Sequence, residues 1–250
     1  MRLLAGVLAV LLQIEIASAA EIKVLSAGGM REVLNALIPD FQKSSGHTIT
    51  LVVGTAGAIK AQVLKGENGD IAVLPQPLMQ ELIGSGMVAA ETNVLLARAA
   101  AGAAVRKGAP KPDVRSIDAF KQSVLKAATV AHADPALGSQ SGIHIAQVLS
   151  RLGLVEQLKG KIVLTPGGGR VGAAVAKGEA ELGLSHVNEL IIVPGIELVG
   201  RLPDELQTED LAFSGGILKS SQVQAALDFL KFIRSPAAQN VIISKGMDTR

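Results

Sequence analysis

The 250-residue chain has no cysteine, no tryptophan and no tyrosine, and its aromatics are five phenylalanines. Without cysteine there is no disulfide, no thiolate metal site and no lipidated N-terminal cysteine. Without tryptophan or tyrosine, the stacking platforms that suit sugars, bases and quaternary amines are missing, so a ligand has to be held by polar groups. Charge of one sign is scarce as well. Lysine and arginine number 24 against 22 aspartates and glutamates, a formal charge of +2 with no run of either sign, which argues against nucleic acid as a partner. No apolar run reaches the roughly 20 residues needed to span a bilayer.

One shorter apolar run does carry meaning. Arg2 precedes an apolar stretch over residues 3–12, and Ala17, Ser18, Ala19 and Ala20 stand just before Glu21. That order predicts a cleavable signal peptide over residues 1–20 and a mature chain starting near Ala20 or Glu21. In a bacterial setting the expectation is a periplasmic protein with no membrane insertion after cleavage. The remaining residues suffice for two modest lobes with a core that needs no staples.

Residues 161–190 organise the reading. Ile162, Val163 and Leu164 form a short strand bounded by Pro166 and Gly167. Val171, Ala174 and Val175 recur at helical spacing until Gly178, and residues 181–185 return as a strand. Gly167, Gly169 and Gly172 spell the dinucleotide fingerprint, but the helix is short and the returning strand ends in Ser185 and His186 where an acid would be required. The glycines either serve the turn alone or leave bare helix-start N–H groups for a small anion.

The same unit recurs. Residues 22–26 lead through Gly28 and Gly29 into a helix with Met30, Val33, Leu34, Leu37 and Phe41 on one face, which Pro39 is expected to kink. Residues 47–53 lead through Thr55, Ala56 and Gly57 into a second helix, and residues 128–131 lead through Gly138, Ser139 and Ser141 into a third. Such alternation predicts an α/β protein with mostly parallel sheets flanked by helices. Ligands of open α/β sheets sit at the C-terminal strand edge, so four junctions can aim helix starts at one anion. A nucleophile elbow is nearly spelled at residues 138–142, but Gln140 occupies its serine position. The histidines, His47, His132, His144 and His186, show no metal-ligand spacing. Arg170 at the fourth junction, and Arg98, are candidate cations for the ligand.

These features together resemble periplasmic substrate-binding proteins of the type II fold, nearest the molybdate-binding branch of ABC transporters. The resemblance runs through IKVLSAGGMREVLNALIPDF, VVGTAGAIKAQV, GDIAVLP, GAPKPD, KGEAELGLSHVNEL and FIRSPAAQNVI. It implies two lobes, residues 21–97 with 205–250 and residues 98–204, joined by two crossovers as a hinge. It also implies a monomer that closes on a small anion and delivers it to an ABC transporter permease, without enzymatic activity, cofactor or metal. Carried over by position, the ligand-binding residues are Gly29 in place of a serine, Thr55 with Ala56 alongside, Ser141 in place of an alanine, Gly168 in place of a valine, and His186 in place of a tyrosine; Ser139 joins them from the junction pattern itself. These exchanges, with Arg170 and Arg98, point to an organic carboxylate, the glycines at 29 and 168 leaving room for its carbon skeleton. The alternatives are a molybdate- or tungstate-type oxyanion for uptake, and an anion sensor or an enzyme on the same fold.

Overall fold

The computed structural model describes residues 19–219 and 222–249. The expected signal peptide falls mainly on residues 1–18, which lie outside the described residues. Among the described residues, no helix is long and apolar enough to cross a membrane.

The first sheet begins with β1 (Glu21–Ala27), α1 (Arg31–Ser45), β2 (Thr48–Gly54), α2 (Ala56–Leu64), β3 (Ile71–Pro75), α3 (Gln76–Gly84) and β4 (Val94–Arg98). The chain then crosses into β5 (Ala101–Arg106), α4 (Ile117–Lys126), β6 (Val130–Ala133), α5 (Gln140–Arg151), β7 (Ile162–Thr165), α6 (Val171–Lys177), β8 (Leu182–His186), α7 (Val187–Leu190) and β9 (Ile196–Arg201). It returns as β10 (Ala212–Ile217), followed by α8 (Val223–Ile233) and α9 (Pro236–Ser244). Strand order is β2-β1-β3-β10-β4 in one sheet and β7-β6-β8-β5-β9 in the other. In each sheet the strand arriving from the other lobe, β10 or β5, runs antiparallel to both neighbours, and the remaining strands share one direction. The fold is the α/β, two-lobed, helix-flanked architecture expected from the alternating pattern.

Local chemistry explains most boundaries. β3 and β8 are buried at every position, as strands covered by helices on both faces must be. α2, α4 and α9 start where Thr55, Ser116 and Ser235 accept a backbone N–H with their side chains. Gly46 and Gly178 end α1 and α6 in the left-handed region, at φ 76° and 78°. Pro39 does not divide α1, which runs through it. Pro39 and Asn35 both face solvent, so water can hydrate the Asn35 carbonyl that loses its intrahelical donor. The stretch at 94–105 is two strands in two sheets, separated by Ala99 and Ala100. Arg98, pairing with Ala212 in β10, belongs to the first sheet rather than to the head of the second lobe.

The core of the first lobe holds the aromatic cluster. Phe41 of α1 packs against Phe229 and Phe232 of α8, with ring centroids 4.8 and 5.4 Å apart. Phe229 is fully buried. Truncating it leaves a ring-sized cavity between the two helices, so Phe229→Ala should lose about 3–5 kcal/mol of stability. At roughly 2–4 °C per kcal/mol for a domain of this size, Tm should fall by about 10 °C in a calorimetric scan. A loss below about 1 kcal/mol would show that the cluster does not tie α1 to α8.

Candidate functional site

The strand-to-helix junctions of both lobes open on one cavity of about 510 Å³. Gly28 and Gly29 come from the turn after β1, Thr55 and Ala56 from the start of α2, and Ser139 and Ser141 from the start of α5. The turn after β7 adds Gly168 and Arg170, and the end of β8 adds His186. Eight of the nine residues singled out in the sequence therefore line the same space. Arg98 does not: its guanidinium pairs with Glu209, and its backbone bridges to Asp248. It serves the strand β4 edge beside the crossovers, not the cleft, and its expected ligand contact is withdrawn on that placement.

The lobes touch across this cavity. Asn188 Nδ2 donates to the Gly29 carbonyl at 2.7 Å, and Gly57 N donates to the Gly138 carbonyl at 3.1 Å. The second contact needs glycine on both sides, since a Cβ at either position would lie 3.0–3.2 Å from the other's Cα. The expected room at positions 29 and 168 is already taken. A Cβ at Gly29 would overlap the ring of Phe213, and one at Gly168 would overlap Glu189 Oε2 and Ser141 Oγ. The glycines admit neighbouring side chains, and the space for a ligand lies between the lobes instead.

Several lining residues escaped the sequence reading. Arg31 and Glu32 begin α1, and Asn188 and Glu189 lie on α7, a single turn that no periodicity reveals. Their signal is compositional: polar Asn188 and Glu189 stand between apolar Val187 and Leu190 directly after a buried strand. Neither Arg31 nor Arg170 has an ion pair or side-chain hydrogen bond among the described residues. Two arginines without side-chain partners among the described residues thus line the cavity from opposite lobes, beside the starts of α2 and α5 with their partial positive charge.

The floor of the second lobe is polar and buried. Ser185, fully buried, donates to Glu189 Oε2 at 2.7 Å; the Gly168 carbonyl, at 3.3 Å, is the poorer acceptor for the same hydroxyl hydrogen. Ser139 and Ser141 hydroxyls lie 3.2 Å apart. His186 is buried with no hydrogen-bond partner on either ring nitrogen among the described residues, and its ring meets Phe213 edge-on at 6.2 Å. Burial lowers its pKa against the opposing pull of Glu189, which keeps the ring neutral near pH 7. The 3.7 Å between His186 Nδ1 and Glu189 Oε2 is accordingly no ion pair.

Residues 22–248 match the family described as bacterial extracellular solute-binding protein. The chain belongs to that family. Among curated relatives of this solute-binding protein, an aconitate isomerase from a Pseudomonas species is 34% identical over 230 residues, covering 90% of this chain and 86% of the relative. The molybdate-binding protein ModA of Azotobacter vinelandii is 27% identical over 244 residues, covering 92% and 90%. Among solved structures, the periplasmic molybdate-binding protein of Azotobacter vinelandii superposes with a TM-score of 0.76 at 22% identity, covering 90% of this chain and 98% of that one. The first of these overturns the expectation of a protein without enzymatic activity, since a near full-length relative of the solute-binding protein is itself an enzyme.

A second histidine ties the cleft to the crossover. His144 on α5 shares a hydrogen bond with the Leu206 carbonyl at 2.8 Å, and burial, reinforced by His186, pushes its pKa from 6.5 down to about 4. Between these values the unfolded chain binds a proton that the folded protein refuses. Stability is therefore complete above pH 6.5 and lost as pH falls toward 4, by an amount on the order of 3 kcal/mol at about 1.4 kcal/mol per pKa unit. Burial shifts His132 and His186 the same way. Urea midpoints at pH 7 and pH 4.5 should converge in His144→Gln relative to wild type. Equal pH dependence in the two proteins would rule out His144 as a contributor.

Proposed function

We propose that this solute-binding protein takes an unsaturated di- or tricarboxylate between its lobes and isomerises it, with aconitate as the substrate class. The observation that carries the reading is the pair of arginines, Arg31 and Arg170, that line one cavity from opposite lobes with no side-chain partner among the described residues. A planar fork matches a carboxylate bidentately, and two forks on two lobes match a substrate with carboxylates at both ends. The relationship to an aconitate isomerase over 90% of the chain supports the same class.

The chemistry asks little else. Aconitate carries an alkene whose central carbon bears a carboxylate, with a methylene beside it. Removing a methylene proton sends the C–H electron pair into the allyl system and its carboxylates. Returning a proton to the former vinyl carbon moves the double bond by one position, and the geometry of the new alkene follows the conformation in which the skeleton is held. No oxidant, reductant or cofactor enters the balance. The guanidiniums would stabilise the charge that develops on the carboxylates, and a closed cleft would exclude water.

A molybdate-type oxyanion fits less well, because it is too compact to offer separate carboxylate ends to arginines on two lobes. A second reading, supported by the family match over residues 22–248, is a receptor that passes the same carboxylate to an ABC transporter permease. Both readings place the protein in the periplasm. Mass spectrometry of the exported protein should then find an N-terminus at Ala20 or Glu21, and an exported chain retaining Met1 would contradict that placement.

Proton NMR of purified protein with trans-aconitate should show vinyl signals of the cis isomer growing to equilibrium. Arg170→Ala should weaken binding of the saturated analogue tricarballylate about ten- to a hundredfold, the equivalent of roughly 1.5–3 kcal/mol for a charged hydrogen bond. Tight binding of aconitate with no interconversion would favour the receptor. Stabilisation by molybdate with no response to any carboxylate would defeat both.

A further inference from the structure

A cavity lined by two unpaired arginines and two helix starts is suited to anions, yet a carboxylate is built into its floor. Glu189 is 8% exposed and lines the cavity. Its Oε2 accepts the Ser185 hydroxyl at 2.7 Å, while Oε1 has no partner among the described residues and is not sealed from solvent. The position is made for it: a Cβ on residue 168 would overlap Oε2 itself, so Gly168 is what lets the carboxylate stand there. A carboxylate in this place weakens the binding of any anion, and binding alone gives it no use. Proton transfer does.

We propose that Glu189 is the base that removes the methylene proton of the bound carboxylate, with Ser185 as its positioning residue and Gly168 providing its space. This assignment rests on the isomerase reading of the same cleft. The proton passes from the substrate methylene to Oε1, the C–H electron pair enters the allyl system, and the protonated Glu189 returns that proton to the former vinyl carbon, which restores the carboxylate with no net change in protons.

Two other groups compete for the role and fit it less well. His186 also lines the cavity, but both its ring nitrogens are sealed from solvent, with the Phe213 ring edge-on to it. Glu32 belongs to the first lobe and has no side-chain partner among the described residues to fix its carboxylate. Glu189 alone combines a held oxygen with a free one. A positioned general base contributes about 10²–10⁴ in rate.

Glu189→Gln, close to isosteric, should therefore lower kcat for aconitate isomerisation at least a hundredfold. The same variant should bind tricarballylate as tightly as wild type or more tightly by calorimetry, because a like charge has gone. Ser185→Ala should lower kcat with KM little changed, and Ser185→Thr should restore part of it. Should Glu189→Gln melt out of the folded state, Glu189→Asp, which withdraws the carboxylate by one methylene, should bind tricarballylate and turn over at least tenfold more slowly. Turnover within threefold of wild type in Glu189→Gln or Glu189→Asp overturns the assignment, as does a loss confined to Glu32→Gln. Wild-type protein that binds tricarballylate but leaves aconitate unchanged sinks the isomerase reading and this proposal with it. An active wild type with an equally active Glu189→Gln sinks this proposal alone.

Discussion

Everything in the cleft depends on two short passages of chain lying side by side. Ala99 and Ala100 lead out of β4, the segment at 202–211 leads back into β10, and the side chain of Gln207 ties them together. Its amide accepts from Ala101 N at 2.8 Å and donates to the carbonyls of Ala101 and Leu202. Backbone bonds from Ala99 N to Leu211 O and from Leu202 N to Ala101 O reinforce the pairing. Because each arriving strand sits next to a departing one, both crossings fall at the same side of the two sheets. The C-terminal strand edges then face each other, and the helix starts that follow them share one space. Arg98 contributes here, through Glu209 on the returning passage, and not as a ligand contact.

Given that arrangement, the cleft's chemistry follows from what closes it. Asn188 reaches the Gly29 carbonyl from α7, and Gly57 meets Gly138 backbone to backbone. These contacts bring Arg31 and Glu32 of one lobe toward Arg170 and Glu189 of the other. The site therefore holds charges of both signs, which a receptor for a bare oxyanion has no reason to assemble. Charges of both signs would suit a substrate that is both an anion and a proton donor, because the cations would hold its carboxylates while a carboxylate base took its C–H proton.

Much of this was legible in the sequence. Glycine-rich junctions such as Thr55 with Gly57, or Gly167 to Gly169, announce strand-to-helix turns through composition alone, and alternating βα units leave few topologies to consider. What sequence could not carry was tertiary occupancy. Gly29 reads as open space, and only the fold shows the Phe213 ring, more than 180 positions away in the chain, filling it. Pro39 reads as a break, and only its solvent-facing placement on α1 shows why the helix tolerates it. Short helices were equally hidden. α7 has a single turn, too short for periodicity, and α9 begins at Pro236, a residue that ends the preceding helix yet is equally at home in a first helical turn.

The same contrast bears on how an enzyme arises on a receptor fold. The steps from a binding cleft to a proton-transfer site are small when the cleft already excludes water and already fixes an anion between two lobes. On the isomerase proposal they would amount to Gly168 without a side chain, the Glu189 carboxylate on α7 in the volume that a Cβ there would take, and Ser185 holding one carboxylate oxygen. Each of these alone is unfavourable or idle: the glycine leaves a void, the carboxylate repels the ligand, and the buried hydroxyl keeps only the Gly168 carbonyl at 3.3 Å as an acceptor. Together they satisfy one another, which is why the cluster reads as one coupled device rather than three separate departures from an anion-binding pattern.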